Sequence, residues 1–206
     1  MFVILFSVSA VAGNDDDFVL RSGIKFGDTI DTIVQKEKTL TRNSETSNTF
    51  TGKIAGYSDS ECSFVFDDDG KLESMTYSFD CLSKDFTNST YENLYDGLVR
   101  KYGKPKGNTL GNCELITGPA LNRMSLWVYF FGELDGWSAN YYDYDEWIVD
   151  CLNYHVKVDL VSYYYRNSDY KYTYTVELSY LKYTDEEYQK EIDKKQEMFD
   201  EVDTDL

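Results

Sequence analysis

The chain has 206 residues, 42% hydrophobic and 17% aromatic, which is enough for a real core in one large unit or two small ones and too apolar for a disordered chain. Its formal charge is −17 and its isoelectric point lies near 4.3. A field of that sign repels phosphate backbones and anionic lipid surfaces, so it speaks against nucleic acid and membrane-surface binding. It suits a basic protein partner, a neutral ligand or simple solubility.

The first twelve residues, MFVILFSVSAVA, carry no charge and are mostly apolar. They are too few to span a bilayer, end in the small-x-small pattern Ala10-Val11-Ala12, and precede acidic GNDDD. Residues 1–12 are expected to be a secretory signal, with a secreted or extracytoplasmic chain from Gly13 that does not insert into the membrane; a buried N-terminal strand is the alternative. No cysteine stands at the junction to carry a lipid anchor. Cys62, Cys81, Cys113 and Cys151 are an even set, as an exported chain with two disulfides would have. Sequence proximity favours Cys62–Cys81 and Cys113–Cys151, and buried free thiols are the other reading. With no CxxC pair and His155 as the single histidine, no structural zinc site is expected.

Along the chain, FVLRSGIKF reads as an extended lead-in broken by Gly27. Asp28 or Thr29 then caps a short helix ending near Lys38, with Asp31 in its first turn and Phe26, Ile30, Ile33 and Val34 on one face. The polar run TLTRNSETSNTFTG reads as a loop with an edge strand near Phe50. CSFVFDDDGKLESMTYSFDC is a hairpin turning on Asp69-Gly70, with a bulge near Ser74. Ser89 and Glu92 form a capping box for a second helix, whose stripe is Tyr91, Leu94, Tyr95, Leu98, Val99 and Tyr102 and whose end is marked by Gly103 and Pro105.

Strands dominate the rest: MSLWVYFF, a weaker EWIVDCL, and a long hairpin of VKVDLVSYYY and DYKYTYTVELSYLKY turning at Arg166-Asn167-Ser168. On its last strand Tyr170, Tyr172, Tyr174, Val176, Leu178 and Tyr180 share one face by period two. Thr184 and Glu187 form a capping box for a closing helix with a thin stripe of Tyr188, Ile192 and Phe199. The order implies α+β with helices on one face of antiparallel sheet. Two related helix-plus-sheet units, 13–86 and 87–206, are expected, the second ending in the C-terminal helix.

The stretch GIKFGDTIDTIV resembles the strand-to-helix opening of small outer-membrane assembly lipoproteins of the SmpA/OmlA type, which are similar in fold to the repeats of β-lactamase inhibitor protein. YENLYDGLVRKYGKP followed by strands suits a second copy. The resemblance implies a tandem of helices against antiparallel sheet and a class of binding modules. This chain has Asp28 where that family usually has Met and lacks its lipidated cysteine, and no functional residues carry over.

No catalytic signature stands out. His155 has no GxSxG partner, and there is neither a GxGxxG nor a P-loop, so no cofactor is expected. Glu133, Asp135, Asp143, Asp145 and Glu146 could supply a glycosidase carboxylate pair, although 37 acidic residues make such clusters by chance. Asp143 to Glu146 could loosely hold calcium, whereas Asp67 to Gly70 reads as a plain turn. The loop GELDGWSANYYDYDEW sets Trp137, Tyr141, Tyr142, Tyr144 and Trp147 among acids, where large aromatics with polar tips suit a binding surface or plug the core. The expected role is a non-catalytic exported binding protein. Its partner is expected to be a protein, basic or envelope-associated, engaged through a sheet face or this aromatic loop. Carbohydrate binding is the second reading and a small secreted glycoside hydrolase the third.

Overall fold

The computed structural model describes residues 18–105, 139–166 and 172–193, with the backbone alone for 139–143, 164–166 and 172. The signal over 1–12, the strand at 124–131, Asn167 and Ser168 of the turn, Trp137, Cys113, Glu133, Asp135, Tyr170 and Phe199 lie outside these residues.

Four strands, β1 (Thr41–Arg42), β2 (Thr49–Ile54), β3 (Tyr57–Phe66) and β4 (Leu72–Cys81), form one antiparallel meander. A second consists of β5 (Ala139–Asp150), β6 (His155–Arg166) and β7 (Tyr172–Tyr183). The meanders join where β4 pairs with β7, giving one sheet in the order β1-β2-β3-β4-β7-β6-β5 among the described residues. Helix α1 (Ile30–Lys36) precedes the first meander, α2 (Lys84–Tyr102) separates the two, and α3 (185–193) follows the second. The protein is therefore α+β with a C-terminal helix, as the element order implies.

Strand alternation and register divide the sheet into two unlike faces. One row of paired residues runs Phe50, Cys62, Tyr77, Leu178, Leu160 and ends at Asp145; the next runs Phe64, Met75, Tyr180, Val158, Trp147. Apart from Asp145 these are buried in a single hydrophobic cluster. α2 packs across β4, β6 and β7 on this side, through Thr87, Thr90, Tyr91, Leu94 and Leu98. The lead-in joins the same side, with the Phe18 ring 6.0 Å from Tyr180 and 6.1 Å from Tyr102.

The intervening residues make the second face, where a row runs Thr49, Ser63, Thr76, Ser179, Asp159, Glu146. Its hydroxyls pair across strands, Thr49 with Ser63 at 3.0 Å and Thr76 with Ser179 at 2.9 Å. α3 covers the acidic end of this face, through Glu191 on Lys157 at 3.0 Å and Tyr188 on the His155 ring at 4.4 Å. The expectation of helices on one face alone is thus corrected. Lys157 and Val158 are adjacent and point opposite ways, so α2 and α3 sandwich β6 and bury both its sides.

Local chemistry explains the element ends. Thr29, not Asp28, caps α1 by accepting from Thr32 N, while the Asp28 carboxylate accepts from Lys25 N at 2.8 Å and Lys36 Nζ at 2.6 Å. The helix stops at Lys36, so only a narrow stripe reaches the sheet: Ile33 is fully buried and Val34 is exposed. α2 begins not at Ser89 but at Lys84, with Ser83 as cap accepting from Phe86 N, so the 86/87 boundary falls inside its first turn. Gly103 closes it at φ +81°. The Thr184 and Glu187 capping box of α3 forms as expected: Glu187 N donates to Thr184 Oγ1, and Thr184 N donates to Glu187 Oε2 at 2.8 Å.

The β3–β4 hairpin turns through Asp67 to Lys71 with Glu73 as an extra residue, the bulge expected near Ser74. Gly70 alone takes positive φ there, because Gly70 N donates to Asp67 O and the Asp67 carboxylate accepts from Asp69 N and Lys71 N, a longer turn than a two-residue Asp-Gly. The strand expected near Phe50 forms as β2, but two-residue β1 pairs with it and takes the sheet edge, and β2 reaches β3 through Ala55-Gly56, both at positive φ. A two-residue turn of this kind favours asparagine over alanine at its first position. Ala55→Asn is expected to raise the unfolding free energy by about 0.5–1 kcal/mol, read from the midpoint of urea unfolding.

Register also separates the first cysteine pair. Cys62 pairs with Tyr77, four residues from Cys81, or about 13 Å along the strand, against the roughly 4–7 Å a disulfide needs. Cys62 and Cys81 are buried free thiols, and burial pushes Cys62 up to about 12. The second proposed pair lies outside the described residues because Cys113 does.

Candidate functional site

An open cleft of about 480 Å³ lies between α2 and β5. Its helical wall is a stripe repeating every four residues, Lys84, Asn88, Glu92 and Asp96, which places all four on one flank of α2. Tyr91 and Tyr95 form the floor where that flank turns towards the core, and Asp145 of β5 closes the far side. Tyr91 is placed by burial of its ring, and its hydroxyl donates to Asp145 Oδ2 at 2.6 Å, fixing that carboxylate at the wall. Three carboxylates and one ammonium therefore line a cleft with two tyrosine rings. Such a lining attracts cations and guanidinium groups, which pair with carboxylates and rest on aromatic faces.

The aromatic segment named from the sequence is distributed differently. From Ala139 onward it is strand β5, not a loop, and pairs with β6 along its whole length. Tyr141 and Tyr142 stand on this strand with their backbone alone described. Trp147 is 2% exposed: its ring packs against Tyr95, and its indole N–H donates to Gly103 O at 2.9 Å, pinning the end of α2 to the sheet. It belongs to the core and offers nothing to a ligand. The alternation that turns Trp147 inward also sends Asp145 to the α2 side and Glu146 to the α3 side, so these two carboxylates do not converge on one calcium ion. Among the described residues, no group of three or more His, Cys, Asp or Glu side chains is placed to hold a metal.

Tyr144 and Glu146 instead join a buried polar cluster beneath α3. The Tyr144 hydroxyl lies 3.1 Å from Glu146 Oε2 and 2.9 Å from Asp159 Oδ1. Lys157 Nζ sits 3.5 Å from Glu146, 3.2 Å from Asp159 and 3.0 Å from Glu191. Burial raises the Asp159 carboxyl to about 6; Glu146 adds to the rise while Lys157 and the Tyr144 hydroxyl oppose it. Burial would lower Lys157, but the three carboxylates outweigh it and hold the ammonium charged. Every member is engaged by another, which is the pattern of a structural network, and α3 closes it from solvent.

Sequence reading therefore missed the cleft stripe and Asp159. The four-residue spacing of Lys84, Asn88, Glu92 and Asp96 was legible as a polar flank, but nothing in the sequence set it opposite β5. No protein-family model, no curated protein and no solved structure matches this chain.

Proposed function

We propose that the protein is a non-catalytic extracytoplasmic binding protein that engages a basic protein segment along the cleft between α2 and β5. The observation carrying this reading is the cleft's lining, in which Glu92, Asp96 and Asp145 stand around half-buried Tyr95 and buried Tyr91. A cationic side chain laid there would meet carboxylates and an aromatic face together, and the −17 charge would speed its approach. Export rests on the apolar opening segment. The reading of two related units rests on a helix preceding each antiparallel meander, α1 before β1 to β4 and α2 before β5 to β7, and on the two meanders meeting through their last strands. That arrangement and the resemblance to SmpA/OmlA-type lipoproteins and β-lactamase inhibitor protein support a binding module. The carbohydrate reading is the weaker one, because its two-tryptophan platform loses Trp147 to the core.

Immobilised protein beginning at Gly13 is expected to capture a basic protein from the surroundings of the producing cell. Glu92→Lys with Asp96→Lys should abolish capture without altering the circular dichroism spectrum, since both residues are exposed. Capture that survives both reversals would overturn the assignment to the cleft, and retention on insoluble polysaccharide instead would favour the sugar-binding reading.

A further inference from the structure

His155 opens β6 with both ring nitrogens facing carboxylates. Nδ1 is 2.9 Å from Asp150 Oδ1 at the end of β5, and Nε2 is 3.2 Å from Asp185 Oδ1 in the first turn of α3. A neutral imidazole carries one N–H, so one of these contacts would set a nitrogen lone pair against a carboxylate. The imidazolium presents a proton to both. Tyr188, one turn along α3, lies on the same ring at 4.4 Å, so the ring touches α3 at two points. We infer that His155 is an acid-tightened clasp that couples protonation to the docking of α3 on the second face of the sheet.

Among the described residues, the charged and titratable groups on the elements that meet here include Glu146 and Tyr144 on β5, Lys157 and Asp159 on β6, Lys182 and Tyr183 on β7, and Glu186, Glu187, Lys190 and Glu191 on α3. Lys157 and Glu191 keep a second attachment, one that does not require the imidazolium. Hydroxyl and carboxylate capping by Thr184 and Glu187 maintains the helix itself in either protonation state. Loss of the His155 proton therefore loosens α3 at its N-terminal end without dismantling it.

Hydrogen exchange of the amides in 185–193, normalised to those of α2, tests the clasp at about pH 5.5 and about pH 8, either side of the ordinary imidazole range. Protection is expected to be higher at the acid value in the wild-type chain, and His155→Gln is expected to cut that excess to what the raised Asp159 carboxyl supplies, a part that Asp159→Asn removes. Asp185→Asn, at a position 84% exposed and outside the capping box, should cut the excess equally and keeps the test sound if the histidine variant misfolds. Equal wild-type protection at both values would overturn the inference, and so would an acid excess undiminished by either substitution.

Discussion

Trp147→Ala is expected to be the most damaging single substitution among the described residues, costing about 3–5 kcal/mol of folding free energy. The indole is buried at the end of a row that runs Phe64, Met75, Tyr180, Val158, Trp147, and it abuts Tyr95 of α2. Truncation would leave a cavity between sheet and helix and free the Gly103 carbonyl at the end of α2. Folding free energies of domains are about 5–15 kcal/mol, so the loss is a large share of the total. The thermal midpoint should fall by about 6–20 °C for a chain of this size. Trp147→Phe, which keeps most of the ring but not the donor, should cost about half as much. If Trp147 were a ligand platform, Trp147→Ala would leave stability nearly unchanged, and calorimetry would reveal it.

The second large effect is expected at Glu37, which follows α1 and is 3% exposed. Its Oε1 accepts from Thr39 N at 2.8 Å, Thr39 Oγ1 at 2.5 Å and Leu40 N at 3.1 Å. Its Oε2 takes the Ser22 hydroxyl at 2.9 Å and pairs with Arg21 Nε at 2.8 Å. Five contacts on one carboxylate tie the lead-in, the end of α1 and the start of the first meander together. Burial would raise its pKa, but the hydrogen bonds from Thr39 and Ser22, with Arg21, hold it below its ordinary value of 4.5. Glu37→Ala leaves the buried Leu40 amide and the part-buried Thr39 amide without their acceptor and the Arg21 guanidinium without its counter-charge, and should cost about 3 kcal/mol, the low end for a broken buried pair because Arg21 is partly exposed.

The sign of the pH dependence follows from the depressed pKa. The unfolded chain binds a proton at Glu37 more readily than the folded one, so this stabilisation is complete above 4.5 and disappears as pH falls through the lower, folded value. Urea unfolding of the wild type at about pH 7 and about pH 3.5 should therefore differ more than it does in Glu37→Gln. Asp159 acts in the opposite sense: its folded pKa of about 6 lies above its ordinary 3.8, so its contribution is fully present below 3.8 and is lost as pH rises towards 6 and above. The two effects occupy adjoining windows and are separable by Asp159→Asn.

Much of this architecture was legible in the sequence because it rests on simple periodicities. The strands β3, β4, β6 and β7 carry clean alternation, and the capping box of α3 is spelled out in Thr184 and Glu187. What escaped was hidden by polar residues in buried places. Thr87 and Thr90 extend the core stripe of α2 by a turn, but they do not register as apolar, and Lys84 to Asn88 have modest helix propensity, so Ser89 looked like the cap in place of Ser83. Strand β5 was obscured in the same way. Asp145 occupies an inward position and Tyr144 an outward one, which scrambles the alternation that Trp147 and Val149 would have shown. The Ala55-Gly56 turn carries one glycine where two turn residues would have announced the hairpin. The cleft was beyond sequence reading for a different reason, since its two walls are separated in the chain and meet only because β4 pairs with β7 and so seats α2 against β5 and β6.

The proposed role of that cleft is most directly tested by titrating an oligo-lysine peptide into three proteins at fixed ionic strength. These are the wild type, Glu92→Lys with Asp96→Lys in the cleft, and Asp68→Lys with Asp69→Lys at the exposed β3–β4 turn. Both pairs alter net charge equally, so attraction by the −17 field alone would weaken alike in each. Site-specific recognition predicts at least a tenfold loss of affinity, about 1.4 kcal/mol, for the cleft pair and a much smaller one for the turn pair. Equal losses in the two variants would contradict it and would leave the acidic surface with solubility as its use.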